Sequence, residues 1–152
     1  MTRDGWTPLQ IAWADHSAAQ GAHSDAVLDL EDARLDLEAA ENDDADPDRC
    51  TAARRRLDTA TAAADRAAQK LHAAEQVYWA HVRLNRRQAA NLASVAPDTW
   101  SAYVTREQAP QPDGRDDTGH PYWTELTVRT WLAARPGQGK RTDITARTMT
   151  VR

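Results

Sequence analysis

Residues 86–135 read RRQAANLASVAPDTWSAYVTREQAPQPDGRDDTGHPYWTELTVRTWLAAR, and the punctuation of this stretch decides the fold of the C-terminal half. Asn85, just before it, suits a helix N-cap. Gln88 three residues on can reach back to it, and Leu84 and Ala89 can close a hydrophobic staple. A short helix is therefore expected to start near residue 86; the alternative is one long helix running through Asn85. Val95 falls in a three-residue turn. Pro97 is favoured at a helix start, and Asp98 complements the positive end of the helix dipole.

A second helix is expected over 97–107. Trp100, Tyr103 and Val104 stand at i, i+3 and i+4, the buried stripe of an amphipathic helix. Thr99, Ser101, Ala102, Thr105 and Arg106 are left to face outward. Pro110, Pro112 and Gly114 then build a turn, residues 115–119 a loop, and residues 120–123 a return strand. Asp113, Asp116 and Asp117 are expected to pair with Arg115 or Arg129. Thr124 suits an N-cap with Thr127 at N3, leading into a helix with Val128, Trp131 and Leu132. Helix, turn, helix, two-stranded wing and third helix make up a winged helix-turn-helix, one of few compact arrangements that place a helix to enter a DNA major groove. Outward hydroxyls and an Arg suit base-edge and phosphate contacts. They are also ordinary on a solvated surface.

The segments APDTWSAYVTREQAPQPDG and GHPYWTELTVRTWLAARPG carry a resemblance. Together they are similar to the MerR-like or excisionase-like winged helix-turn-helix proteins of actinobacterial phages and mobile elements. The likeness covers roughly residues 84–142. It implies that Thr99, Ser101 and Ala102 lie on a recognition helix, and that Arg115 and His120 belong to the wing. MerR-type wings carry Arg where this chain has His120-Pro121. Their dimerising helix follows the DNA-binding domain, whereas here the long helices come first, so ligand sensing is not implied. Compact excisionases lack a long N-terminal hairpin.

The N-terminal half has simpler grammar. Thr7 suits an N-cap and Pro8 a first turn. From there to Asn42 the chain has no Pro and one Gly, and Ala26, Leu30, Ala33, Leu37 and Ala40 share one face by 4-3-4-3 spacing. DDADPD at 43–48 breaks the helix, and Pro47 suits the start of the next. Cys50, Ala53, Leu57, Ala60, Ala64, Ala67, Leu71, Ala74 and Tyr78 then form an unbroken heptad seam. A seam made mostly of Ala buries little area at roughly 25 cal/mol per Å². Two hairpins are therefore expected to associate as a four-helix bundle through Leu30, Leu37, Leu57, Leu71 and Tyr78, giving a homodimer. The alternative is a hairpin folded against the C-terminal domain of its own chain.

The net charge of −4 conceals a split. Residues 1–48 hold two basic and thirteen acidic side chains, and residues 49–152 hold seventeen and ten, so the halves come to −11 and +7. Such asymmetry suggests that one half meets a polyanion. The candidate DNA contacts are Arg86, Arg87, Thr99, Ser101, Ala102, Thr105, Arg106, Arg115, His120, Lys140 and Arg141. Arg83 supplies further charge before the recognition helix. Residues 136–152 read as a basic flexible tail, in which Lys140, Arg141, Arg147 and Arg152, together with Arg135, can thread along DNA; 144–151 can also form a strand.

A lone cysteine, Cys50, forms no intramolecular disulfide and reads as a small apolar packer in a reduced, cytoplasmic, nucleoid-associated setting. No apolar run is long enough to span a membrane, and the N-terminus lacks the apolar core of a signal peptide. His16, His23, His72 and His81 have no partners at ligand spacing, so no metal or cofactor is expected. There is no phosphate-cradling loop and no nucleophile elbow, and no enzyme is expected. The expected architecture is mainly α: an acidic, Ala-rich hairpin over 1–83 for dimerisation, a winged helix-turn-helix over 84–135, and a tail over 136–152. The function read from it is sequence-specific binding of double-stranded DNA, as a transcriptional regulator or a recombination or maintenance accessory factor. The acidic hairpin is available to a protein partner. The alternative function is a phage-type structural, assembly or DNA-packaging adaptor that oligomerises through the hairpin.

Overall fold

The computed structural model describes residues 5–42 and 47–135. The chain divides into two compact units, Met1–Arg83 and Leu84–Arg152. The fold is mainly helical.

The first unit is two long helices packed together, α1 (Pro8–Asn42) and α2 (Pro47–His81), each of 35 residues. Thr7 and Gln10 form a capping box at the start of α1. The Thr7 N–H donates to Gln10 Oε1 at 2.8 Å and the Gln10 N–H to Thr7 Oγ1 at 3.3 Å. Cys50 Sγ lies 3.3 Å from the Ala40 carbonyl near the connection, and His16 stacks on Tyr78 at 5.2 Å towards the other end, so the helices run antiparallel. Every seam position expected from the sequence is buried or half-buried, and the α1 seam extends back through His23, Ala19 and His16 to Ala12. One edge of the pair is bridged by Arg56 and Asp36, and the other by Arg54 and Glu41 at 3.2 Å.

The second unit begins at the second residue of strand β1 (Arg83–Leu84) and continues with α3 (Arg86–Leu92), α4 (Pro97–Thr105), β2 (Gly114–Arg115), β3 (Pro121–Thr124) and α5 (Glu125–Ala134). The expected two-stranded wing is instead a three-stranded sheet in the order β1-β3-β2, because the two residues before Asn85 form a strand rather than the end of a helix. Strands β2 and β3 are antiparallel, with Gly114 opposite Tyr122 and Arg115 opposite Pro121. A Cβ at Gly114 would fall 2.8 Å from the Tyr122 hydroxyl, so the glycine lets the ring lie across β2.

Trp100 is the centre of this unit's core and is fully buried. Trp123 and Trp131 meet it edge-on at 5.6 and 5.5 Å, the favoured geometry for aromatic pairs. Ala89, Ala90 and Val128 are also fully buried around it, and Leu84, Tyr103 and Leu132 pack against the cluster. The flanking indoles donate to carbonyls, Trp123 Nε1 to Pro110 and Trp131 Nε1 to Gln108, both at 2.9 Å. The Trp100 Nε1 is buried without a hydrogen-bond partner. No helix among the described residues is long and apolar enough to cross a membrane.

Candidate nucleic-acid interface

Helix α4 is fixed at both ends by backbone geometry. Asn85 and Gln88 close a capping box on α3, with bonds of 2.9 and 3.0 Å. That helix stops in a Schellman motif. Ser94 takes the left-handed conformation at φ 56°, its N–H meets the Asn91 carbonyl, and the Val95 N–H meets Ala90. Pro97 then occupies the first turn of α4. The same motif ends α4. Glu107 sits at φ 57°, its N–H donates to Val104 at 3.1 Å, and the Gln108 N–H donates to Tyr103 at 2.8 Å. The helix expected over 97–107 thus ends at Thr105, and Arg106 becomes its C-cap.

Trp100 buries one side of α4 and leaves Thr105 and Arg106 exposed. Thr99, Ser101 and Ala102, expected to face outward, are half-buried. The Ser101 hydroxyl donates to the Pro97 carbonyl at 3.1 Å and accepts from Arg86 Nη1 at 3.4 Å. Thr105 Oγ1 donates to the Ser101 carbonyl at 2.9 Å. Helical Ser and Thr side chains commonly turn back to such carbonyls, which reduces the donors they present to a ligand. The resulting site is an edge: the Arg86 guanidinium beside Ser101, the Thr105 methyl and hydroxyl one turn on, and Arg106 at the helix end. Arg87 is exposed in the first turn of α3.

The β2–β3 connection is rigidified from within. Asp116 Oδ1 accepts from the Thr118 N–H at 2.9 Å, the Thr118 hydroxyl at 2.7 Å and the His120 N–H at 2.9 Å. The Thr118 hydroxyl bond, followed by the His120 backbone bond, holds this carboxyl below its usual range. His120 Nδ1 lies 2.7 Å from the Thr118 hydroxyl, and Arg115 Nη1 donates to the Gly119 carbonyl at 2.8 Å. Arg115 and His120 are therefore exposed but tied into the turn. The expected ion pairs give way to caps: Asp113 accepts from the Thr124 N–H at 2.6 Å and the Thr127 hydroxyl at 3.0 Å. Arg129 pairs with Glu125 at 2.6 Å.

Arg135, expected in the mobile tail, folds back onto the unit. Its guanidinium carbon lies 5.2 Å from the Tyr103 ring centroid and 4.9 Å from that of Trp131. Lys140 and Arg141, the rest of the tail and the strand expected over 144–151 lie outside the described residues. Residues 84–135 carry six Arg and six acidic side chains, so this region has no net charge. The +7 counted over the C-terminal half therefore resides in residues 49–83 and 136–152. Leu30, Leu37, Leu57, Leu71 and Tyr78, expected at a dimer interface, all stand in the seam between α1 and α2 of one chain. Sequence reading missed the two left-handed closures at Ser94 and Glu107, because neither is a glycine, and the Asp116 turn lock, whose Asp-x-Thr-Gly-His spacing was its only signal. Compared with known proteins, the chain matches no family model, no curated protein and no solved structure.

Proposed function

We propose that this chain is a sequence-specific binder of double-stranded DNA, its C-terminal unit a winged helix-turn-helix in which α4 is the recognition helix and the β2–β3 hairpin the wing. The observation that carries this reading is the polar edge of α4. Trp100 anchors the helix from inside, while Arg86, Thr105 and Arg106 stand along its other side. Arg side chains at the borders of a short helix hold phosphates, and the small side chains between them allow close approach to base edges. Because residues 84–135 are neutral overall, affinity rests on the placement of these few cations, on Lys140 and Arg141, and on the use of two copies at once. The resemblance to MerR-like and excisionase-like proteins favours a transcriptional regulator or a recombination or maintenance factor.

Selection from a random duplex library, followed by anisotropy titration on the enriched sequence, tests the reading. A consensus is expected, and Arg86→Ala and Arg106→Ala each lower the slope of log K against log salt by about 0.9. Failure of the wild-type chain to enrich any duplex at low salt rejects it. A second reading, an assembly or packaging adaptor, is favoured by the seven exposed large apolar side chains among the described residues, all of which lie in the first unit. A closed ring in light scattering, with no duplex enriched, would select that reading.

A further inference from the structure

The two edges of the hairpin differ. The Asp36–Arg56 edge steps by sevens through Asp29 and Asp15 on α1 and through Arg49 and Lys70 on α2, and is charged. The Glu41–Arg54 edge steps through Arg34 and then becomes uncharged on α1, with Val27, Gln20 and Trp13, while α2 carries Thr61 and Ala68 and then Glu75. Around the corner from this second edge, still on α1, stand Ser24, Gly21 and Leu28. Trp13 is 58% exposed and Leu28 65%. On α1 this face carries no charge from Gln10 to Leu28, although the helix contains eight acidic residues.

Gly21 has no cause within its own chain. A Cβ there would meet nothing within 4 Å, and a helical glycine is destabilising relative to alanine. It lies midway between Trp13 and Leu28, where two helices laid antiparallel would cross and need a small residue.

We infer that a second copy of this chain covers this face, α1 against α1 antiparallel about a twofold axis near Gly21. This deepens the paired reading above, since the seam itself is occupied within each chain. In that arrangement Trp13 of one copy meets Leu28 of the other, a large residue at each end of a small-residue crossing. Ser24 Oγ already donates to the Gln20 carbonyl at 3.1 Å, so it can enter the contact without losing a partner. The charge pattern selects the direction. Seven of the eight α1 acids lie at or after Asp25, so an antiparallel pair sets each acidic half against the partner's N-terminal half, where Asp15 is the single acid. A parallel pair would stack the acidic halves. A helix of this length is about 52 Å long and about 10 Å wide. Its face alone falls short of the roughly 800 Å² per partner of a stable interface. The adjoining Thr61–Ala68 edge of α2 extends it.

The test uses the full-length chain in sedimentation equilibrium. The wild type is expected to be a dimer. Leu28→Glu and Trp13→Glu, both at exposed positions, are each expected to weaken dimerisation at least about 100-fold, whereas Val77→Glu, exposed on the charged edge, leaves it unchanged. Gly21→Leu is expected to raise the helix melting temperature of the monomer while weakening the dimer, a pair of effects that a misfolded variant does not produce. With Cys50→Ala in place, Gln20→Cys is expected to form a linked dimer on mild oxidation and Asp32→Cys is not. A monomeric wild type, a closed ring, or a dimer insensitive to Leu28→Glu overturns the inference. Library enrichment by the wild type is read separately, so loss of this face and loss of DNA binding are distinguishable.

Discussion

Along the two 35-residue helices of the first unit, the buried side chains are Ala12, Ala33, Ala40 and Ala64. In the second unit, Trp100 is fully buried and Trp123 nearly so, and Trp131 closes on the same cluster. The exposures invert this pattern. Among the described residues, Trp6, Leu9, Trp13, Val27, Leu28, Leu35 and Val77 are the exposed large apolar ones, and none lies beyond Arg83. The second unit has gathered its large side chains around one indole, while the first has placed alanine inside and left bulk outside. A helix pair packed on alanine gains close backbone approach but little buried area. The difference therefore separates a module closed around its own indole core from a helix pair that leaves its large apolar side chains exposed.

The strongest way to break this comparison is Trp100→Ala. Removing a fully buried Trp costs about 3–5 kcal/mol, enough to unfold a small core. Near-ultraviolet circular dichroism of the indole cluster should vanish, while the far-ultraviolet helical signal of α1 and α2 persists and melts separately. Loss of both signals together would show that the two units fold as one. A smaller change sharpens the other side. His23 Nδ1 is buried in the hairpin without a hydrogen-bond partner. An unsatisfied buried polar atom costs about 1–3 kcal/mol, so His23→Leu should raise the melting temperature of the hairpin and leave the indole signal unmoved.

The same contrast explains what the sequence makes legible. The hairpin is periodic, and the spacing of Cys50 through Tyr78 maps residue for residue onto the face that meets α1. The Asn85–Gln88 box and the Thr124 cap are equally local and equally readable. What escapes is non-local or lacks its usual residue. Strand β1 is two residues long and exists only by pairing with β3, far along the chain. Arg135 looks like part of a basic tail until Tyr103 and Trp131 are brought beneath it. The candidate DNA edge was half-legible: Thr105 and Arg106 are exposed as expected, but the Ser101 hydroxyl turns inward because a backbone carbonyl four residues back is always within its reach. The residues expected at a hairpin dimer stand half-buried where α1 and α2 of one chain meet, since periodicity identifies a buried face and not which helix covers it.

Glu107 offers a test that links the fold of the second unit to its proposed site. A non-glycine residue in the left-handed region costs about 1 kcal/mol, and Glu107 at φ 57° holds α4 to its length. Glu107→Gly should stabilise the second unit by about that amount. It also removes an acidic group next to Arg106, so DNA affinity should rise together with stability. Stabilisation without a gain in affinity would place Arg106 away from the phosphates.

The smallest expected effect lies in the β2–β3 turn. The Asp116 carboxyl is held below its ordinary value of 3.8, first by the Thr118 hydroxyl and then by the His120 N–H. A group whose folded value is depressed stabilises the fold above its unfolded value, and that contribution is lost as pH falls through the folded one. The turn is therefore intact from neutral pH down to about 4 and loosens only below that. Amide exchange at Thr118 and His120 should accelerate there, while the amides around Trp100 stay protected. In Asp116→Asn the same two amides should exchange faster at neutral pH and lose their acid dependence. If instead the Trp100 region opens with the turn, the hairpin and the indole core form one cooperative piece, and the second unit is less divided into frame and appendage than its burial pattern indicates.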